Sequence, residues 1–439
     1  MEKMILQLLG IAGCIWGIDY IKFRHKRLIK NKWNLIMIQN NLVNELGETF
    51  NIAKINDADY GFLLIVGIPT GFSFNDLDKI KPKIEDSLKC IAEMEHEKLN
   101  GWIKVRLIMK PFEERDFKPI RTMPYELYVG YNHLGPVIIN MNKFPHILIT
   151  GVTGSGKNSA LEIILANLMA NHSKDKVQFF LTQLMKKELI YFKRYENVVG
   201  MAFNLNEAVT MFEEIEKIIN ERVNLIFNYA EKGIKNIDQY NEKFKDKQLS
   251  YVYVVIDEYA FYMPEKADSK EEKLQKAYCL SVIKKILLDG RALGVFGVIL
   301  IQRPDSESIN STFKAQVTNI LCFRQSNEIS SRIAIETDEA TKLETREAIL
   351  KTNKYERIKT PFISDEIIRT ALKHREKKKG NIVKSNMAIL ENFEIREITK
   401  EEYEDFVRRV KRGKQKFDNF DGLIKRGKGR ARNDRRFNF

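Results

Sequence analysis

The sequence predicts an α/β fold, because three apolar segments of strand length end in glycine-rich or polar residues and helical segments lie between them. The strand segments are Pro145 to Thr150, Tyr251 to Ile256 and Val295 to Ile301. Their continuous apolar character is typical of buried strands, whereas residues Ser159 to Met169 and Glu207 to Ala230 have helical periodicity. The length of 439 residues and the hydrophobic content of 44% support a substantial core with accessory segments.

A glycine-rich turn joins the first strand to its helix and has the composition of a phosphate-binding loop. Its three glycines let the backbone curl so that successive N–H groups face phosphates, and Lys157 can reach the β- and γ-phosphates. A chance glycine-rich surface loop is the alternative, but the flanking strand and helix are the context that a nucleotide site requires. The predicted ATP-binding residues are Gly151, Val152, Thr153, Gly154, Ser155, Gly156, Lys157, Asn158 and Ser159.

The residue after the lysine departs from the usual loop sequence. Ser or Thr normally stands there because its hydroxyl coordinates Mg²⁺, whereas this chain has Asn158. An amide oxygen is a poorer ligand, and Ser159 is one residue further along the helix, which turns its side chain by about 100° away from the metal. The sequence therefore supports ATP binding better than it supports fast hydrolysis.

Polar residues at the ends of the other two strands complete the predicted site. Asp257 and Glu258 follow the second strand. We expect Asp257 to hold Mg²⁺ together with Asn158, and Glu258 to polarise the attacking water. The alternative is an ordinary buried strand that ends in a solvated acidic turn. Gln302 follows the third strand, where its amide either senses the γ-phosphate or simply ends the strand.

These motifs together resemble the motor core of the FtsK/SpoIIIE family of DNA-pumping ATPases. That family has a Thr-Gly-Ser-Gly-Lys loop, an Asp-Glu strand and an Arg-Ala-x-Gly segment leading to a Gln-Arg-Pro strand end. In this chain the Arg-Ala-x-Gly segment is Arg291 to Gly294, and the Gln-Arg-Pro strand end is Gln302 to Pro304. The resemblance implies a RecA-like P-loop ATPase core, DNA as a partner and a homo-oligomeric ring, usually a hexamer. It also implies that Arg291 is a catalytic finger inserted into the neighbouring subunit's nucleotide site. A cation on a helix surface is the alternative for Arg291.

The segment before the motor core predicts a small α/β domain. Strands are expected at Tyr60 to Val66 and Trp102 to Met109, with a helix from Phe74 to Glu93 between them. The pattern, with its Gly-Ile-Pro-Thr-Gly turn at residues 67–71, resembles the segment that precedes the motor in TcpA-type coupling ATPases of conjugative elements. This resemblance implies a role in the transfer of a mobile element, with a relaxase and secretion-channel proteins as candidate partners.

Both ends of the chain predict contacts outside the motor core. Residues Met4 to Tyr20 are apolar apart from Gln7 and Asp19 and are followed by a cluster of cations, which predicts a single-pass membrane anchor with the motor in the cytoplasm. An amphipathic or buried helix is the alternative. From Arg408 to the end there are 13 Lys and Arg against three Asp, in a chain of net charge +14. This composition predicts a flexible tail that is attracted to DNA or to an anionic membrane, or that is merely solubilising.

The predicted organisation is a membrane anchor over residues 1–22, a small α/β domain over 23–120, a RecA-like motor over 121–385 and a basic tail over 386–439. The predicted function is a ring ATPase at the cell membrane that moves DNA, as the coupling protein of a conjugative element. The alternatives are a chromosome or viral DNA translocase, and a nucleotide-gated DNA-binding scaffold that turns over little ATP. Asn158 keeps the scaffold alternative open.

Overall fold

The computed structural model describes residues 24–97, 99–184, 188–306 and 308–377. The chain divides into two compact units between Glu113 and Glu114, whereas the sequence placed the division after residue 120. The predicted membrane anchor over residues 1–22 and the predicted basic tail over residues 386–439 lie outside the described residues. Within the described ranges, no helix is both long enough and apolar enough to span a bilayer.

The first unit is a small α/β fold built on a four-stranded antiparallel sheet of order β1-β2-β4-β3. Its described part begins with helix α1, which covers residues 24–39. Trp33 of this helix is fully buried, and its indole Nε1 donates to the carbonyl oxygen of Phe50 at 2.7 Å. The elements are β1 (Ile52–Ala58), β2 (Gly61–Gly67), α2 (Phe74–Asp78), α3 (Lys81–Leu88), β3 (Ile91–Glu97) and β4 (Trp102–Ile108).

The prediction of one helix from Phe74 to Glu93 is wrong. Two short helices occupy the first part of this segment, and the second ends where Lys89 adopts a left-handed conformation with φ of 54°. The chain then enters β3, whose residues pair with β4. Arg106 on β4 forms ion pairs with Glu93 and Glu95 on β3 at 3.8 and 2.9 Å, so these carboxylates belong to a strand rather than to a helix face.

The second unit is built on a ten-stranded mixed sheet, and the prediction of an α/β core is confirmed. The sheet order is β6-β5-β14-β13-β12-β7-β11-β10-β8-β9. Strands from β12 to β9 in this order are parallel, and the remaining pairings are antiparallel. The strands are β5 (Glu126–Asn132), β6 (Gly135–Asn140), β7 (Ile147–Thr150), β8 (Val177–Thr182), β9 (Val198–Ala202), β10 (Tyr251–Ile256), β11 (Val295–Ile301), β12 (Asn319–Phe323), β13 (Glu347–Lys351) and β14 (Tyr355–Lys359).

Helices cover both faces of this sheet. Along β7, Ile147 and Ile149 belong to the apolar core that contains α4 and α10, and Leu148 belongs to the core that contains α5, α7 and α9. Burial on both faces explains why the central strands are continuous apolar runs instead of alternating ones. The helices are α4 (Lys157–Asn171), α5 (Leu205–Asn228), α6 (Ile237–Lys243), α7 (Lys270–Leu293), α8 (Ser311–Gln316), α9 (Glu328–Ile335) and α10 (Asp365–Leu372).

A buried arginine joins three elements of this unit. Arg222 of α5 donates through Nη1 to the carbonyl oxygen of Leu293 at 2.7 Å and through Nη2 to that of Ser250 at 2.8 Å. Burial lowers the pKa of Arg222 to about 10, which leaves the guanidinium charged at neutral pH. The side chain therefore joins the C-terminal part of α5 to the end of α7 and to the residue before β10.

Replacing Arg222 with Met should lower the free energy of unfolding of the whole chain by roughly 2–4 kcal/mol, because one buried and one partly buried carbonyl group lose their charged donor. Urea titration followed by circular dichroism measures this change. Arg332→Met is the matched control. Arg332 is 58% exposed and forms an i,i+4 pair with Glu328, so its replacement should change stability by less than about 0.5 kcal/mol. Equal stabilities of the two variants would contradict the structural role of Arg222.

Candidate nucleotide-binding site

The loop between β7 and α4 follows a backbone path that requires glycine. Gly151, Gly154 and Gly156 have φ angles of 151°, 75° and 115°, which side chains rarely allow. A Cβ atom on Gly151 would lie 2.7 Å from the Cβ atom of Phe323 and 2.8 Å from Oγ of Ser155. Helix α4 begins directly after this loop, so its first N–H groups and its positive dipole end point to the same place.

Lys157 is buried beneath the loop, with 6% of its surface exposed. Its Nζ atom donates to the carbonyl oxygens of Gly151 and Val152, the latter at 3.0 Å. The ammonium group therefore lies within the curve of the loop, where phosphate oxygens would meet both it and the backbone N–H groups. A glycine-rich loop with a lysine inside it and a helix start beside it fits the triphosphate of a nucleotide.

Two arginines hold the outside of the loop through their backbones. The N–H of Val152 donates to the carbonyl oxygen of Arg324 at 2.9 Å, and the N–H of Arg346 donates to that of Ser155 at 2.8 Å. Arg324 directly follows β12 and Arg346 directly precedes β13. Sequence reasoning missed both residues, since these contacts join segments far apart in the chain and neither arginine belongs to a motif.

The acidic residues lie beside this loop because β11 pairs in parallel with both β7 and β10. Asp257 and Glu258 follow β10, and the carboxylate of Glu258 accepts a hydrogen bond from the backbone N–H of Gln302 after β11. Burial raises the pKa of the Glu258 carboxyl and the charge of Asp257 adds to this, whereas the Gln302 N–H and the Lys157 ammonium oppose it. The structure therefore brings Lys157, Glu258 and Gln302 together.

A sequence profile of the FtsK/SpoIIIE family matches residues 112–350, which is more than half of the chain. The chain belongs to the FtsK/SpoIIIE family. It is 27% identical over 258 residues to the DNA translocase FtsK of Chlorobaculum tepidum, covering 55% of this chain and 31% of that protein. It is 28% identical over 247 residues to the DNA translocase SftA of Bacillus subtilis, covering 54% and 25%. The chain thus spans about a third of the length of these relatives or less.

A solved structure shows the same fold over most of the chain. It is described as the monomer form of the pCW3 conjugation coupling protein TcpA with ATPγS, and it superposes with a TM-score of 0.57. The match covers 79% of this chain and 99% of that one at 21% identity. This similarity extends beyond the residues matched by the FtsK/SpoIIIE profile.

The residues predicted to hold Mg²⁺ lie at the same edge of the sheet. Asn158 is half-buried in the first turn of α4, where family loops have Ser or Thr. The backbone N–H of Asp257 lies 3.4 Å from Oγ1 of Thr182, at the end of neighbouring β8. The described residues contain no group of three or more His, Cys, Asp or Glu side chains that would form a metal cage. A single carboxylate is compatible with Mg²⁺, which keeps water and substrate phosphates as its other ligands, whereas the Asn158 amide stands in place of the usual hydroxyl.

Arg291 is not part of the site within a single chain. It lies in the last turn of α7, just before β11 begins, and its side chain is exposed. Gln302 lies just after the same strand ends, and seven residues of strand span roughly 20 Å. Because the sheet edge with Arg291 is opposite the edge with Lys157, the predicted role of Arg291 in catalysis requires a nucleotide held by another subunit.

Replacing Gly151 with Ala should reduce nucleotide affinity at least about tenfold, because the new Cβ atom would force the loop away from Phe323. Calorimetric titration with ATP and Mg²⁺ measures the affinity. Gly154→Ala is the matched control. It changes a glycine of positive φ in the same loop, but no heavy atom lies within 4 Å of its added Cβ, so the affinity should fall less. A loss in Gly154→Ala as large as that in Gly151→Ala would contradict the role assigned to the contact with Phe323.

Proposed function

We propose that this chain is an ATP-hydrolysing motor that translocates DNA. The observation that carries the proposal is the Glu258 carboxylate, which accepts a hydrogen bond from Gln302 and lies within electrostatic reach of Lys157. An acid held between the end of β11 and the phosphate loop can activate water for attack on a γ-phosphate. The names of the FtsK and SftA relatives support DNA as the cargo, and so does the net charge of +14.

The residues divide the chemistry among themselves. Glu258 orients the attacking water and takes its proton, and its raised pKa makes it a stronger base than an exposed glutamate. Lys157 and the loop N–H groups position the phosphates and stabilise the charge that develops on them. Asp257 and Asn158 would hold Mg²⁺, which supplies further neutralisation of the phosphate charge when bound. Gln302 holds the Glu258 carboxylate in place through its backbone N–H.

The proposed motor is a homo-oligomeric ring, most simply a hexamer, in which Arg291 of one subunit completes the site of the next. The support is geometric, because Arg291 is exposed and lies at the opposite end of β11 from its own Gln302. A guanidinium supplied across the boundary makes hydrolysis conditional on subunit contact.

We further propose that the cargo is the DNA of a conjugative element and that the chain acts as its coupling protein at the cell membrane. The shared fold with a protein described as a conjugation coupling protein supports this assignment. The apolar segment from Met4 to Tyr20 supports a single-pass anchor with the motor in the cytoplasm, and the cations after Arg408 support contact with DNA. A relaxase and secretion-channel proteins would then be its partners. A chromosome or viral DNA translocase is the alternative cargo assignment.

A second candidate function is a nucleotide-gated DNA-binding scaffold that turns over little ATP. The residue that favours it is Asn158, because an amide replaces the hydroxyl that normally coordinates Mg²⁺. Both functions require ATP binding, so turnover separates them.

The decisive measurement is ATP turnover by the full chain with and without DNA. The unmodified chain should be stimulated by DNA, Lys157→Ala should lose ATP affinity, and Glu258→Gln should bind ATP but lose at least about a hundredfold in turnover. Glu221→Gln, on the exposed face of α5, is the control and should match the unmodified chain. ATP binding without DNA-stimulated turnover would establish the scaffold instead of the motor.

Subunit mixing tests the proposed role of Arg291. Arg291→Ala alone should bind ATP without hydrolysing it, whereas mixing it with Glu258→Gln should restore part of the turnover, because some boundaries then join an intact arginine to an intact glutamate. The control is a mixture of Glu258→Gln with the Arg291→Ala, Glu258→Gln double variant, which has no intact acid and should stay inactive. Inactive mixed rings in the first mixture would refute catalysis across the boundary.

A further inference from the structure

Arg346 and Phe362 form a surface, called the shelf below, that lies directly against the last glycine of the phosphate loop. A Cβ atom on Gly156 would be 2.9 Å from Cα and 3.2 Å from Cγ of Arg346, so the aliphatic part of this arginine covers the start of α4. Arg346 itself has a left-handed backbone with φ of 64°, held by its own N–H bond to Ser155 and by the N–H of Thr360, which donates to its carbonyl oxygen. Its position beside the loop is thus fixed from both sides.

Phe362 forms the outer part of this shelf. Phe362 is 49% exposed, and the centroid of its ring lies 5.7 Å from Cζ of Arg346. The backbone of Phe362 is fixed, since its N–H donates to Arg115 and its carbonyl oxygen accepts from Phe117, each at 2.7 Å. An exposed aromatic ring on a rigid backbone offers a flat apolar surface at little entropic cost.

The guanidinium of Arg346 has donors in excess of its partners. Its Nη2 atom forms an ion pair with Glu114, and Nη1 is buried without a hydrogen-bond partner among the described residues. A buried donor that is left unsatisfied is unfavourable, so a ligand that offers acceptors nearby would be stabilised by a small rotation of the guanidinium. Ring nitrogens of a purine and hydroxyls of a ribose are such acceptors.

We propose that Phe362 and Arg346 form the nucleobase subsite, with the adenine of ATP stacked on the Phe362 ring and the Arg346 side chain between base and loop. The inference rests on the proposed nucleotide site. The loop and the start of α4 take the phosphates, and the shelf adjoins Gly156 at the end of this loop, within reach of the base of the same nucleotide. Adenine stacks on aromatic rings and on guanidinium planes, and Arg346 presents donors at the same point.

The test compares two ligands that share the phosphates but differ in the base. Binding of ATP and of inorganic tripolyphosphate, both with Mg²⁺, is measured by calorimetry on the full chain carrying Phe362→Ala. The affinity for ATP should fall at least about fivefold and that for tripolyphosphate should stay unchanged. Tyr355→Ala is the matched control, since this tyrosine is also 49% exposed and lies at the opposite end of β14. It should change neither affinity.

Each other outcome overturns the subsite. If Phe362→Ala binds ATP as tightly as the unmodified chain does, the base does not stack on Phe362. If the variant loses affinity for both ligands equally, the ring supports the phosphate loop instead of binding the base. If the unmodified chain binds the two ligands equally, the base makes no contact and only the shelf fails. If it binds neither, the proposed nucleotide function fails as well. Lys157→Ala should weaken both ligands in parallel, which identifies the shared phosphate contact.

Discussion

The candidate site depends on the parallel pairing of β11 with β7 on one side and β10 on the other. In this register Ile301 lies opposite Thr150, and Ile299 lies opposite Ile256. The residues that follow these strands are therefore the loop, the glutamine and the two acids, and they meet at one edge. Because side chains alternate along a strand, a slip of one residue would turn the core face of β11 and separate Gln302 from Glu258. Phe296, Val298 and Leu300 pack in one core and Val295, Ile299 and Ile301 pack in the other, so a slip would require both cores to repack.

The antiparallel half of the sheet serves a different purpose. Strand β12 continues the parallel part, and β13 and β14 return beside it, which brings Arg324 and Arg346 to the outside of the phosphate loop. The loop is thereby bonded on both flanks by backbone groups of distant segments. A glycine-rich turn alone would be free to adopt many conformations, since glycine loses more conformational freedom on folding than other residues. These flanking bonds restrict it to one path.

Local signals explain what could be predicted from the sequence. The loop, the Asp-Glu strand and the glutamine strand each combine an apolar run with a distinctive end, so both the elements and their meeting point follow from short segments. Strand β3 could not be predicted in this way, because Glu93 and Glu95 resemble the solvated face of a helix. Their place in a strand is explained only by their ion pairs with Arg106 on β4. The position of Arg346 beside the loop could not be predicted for the same reason, since its contacts with Ser155 and Glu114 join residues that are far apart in the sequence. Contacts between residues that are distant in the sequence therefore cannot be predicted from these local patterns.

The contacts made by the first residues of the second unit limit where this protein can be truncated. Glu114 pairs with Arg346 and with Lys359, the latter at 2.7 Å, and Phe117 is buried in the core around α4. A fragment that starts at residue 121 would expose apolar core surface and leave two cations without their carboxylate. It would also remove the N–H and carbonyl groups that bond the backbone of Phe362. Weak or absent activity in such a fragment would report the loss of this N-terminal segment, not the properties of the motor.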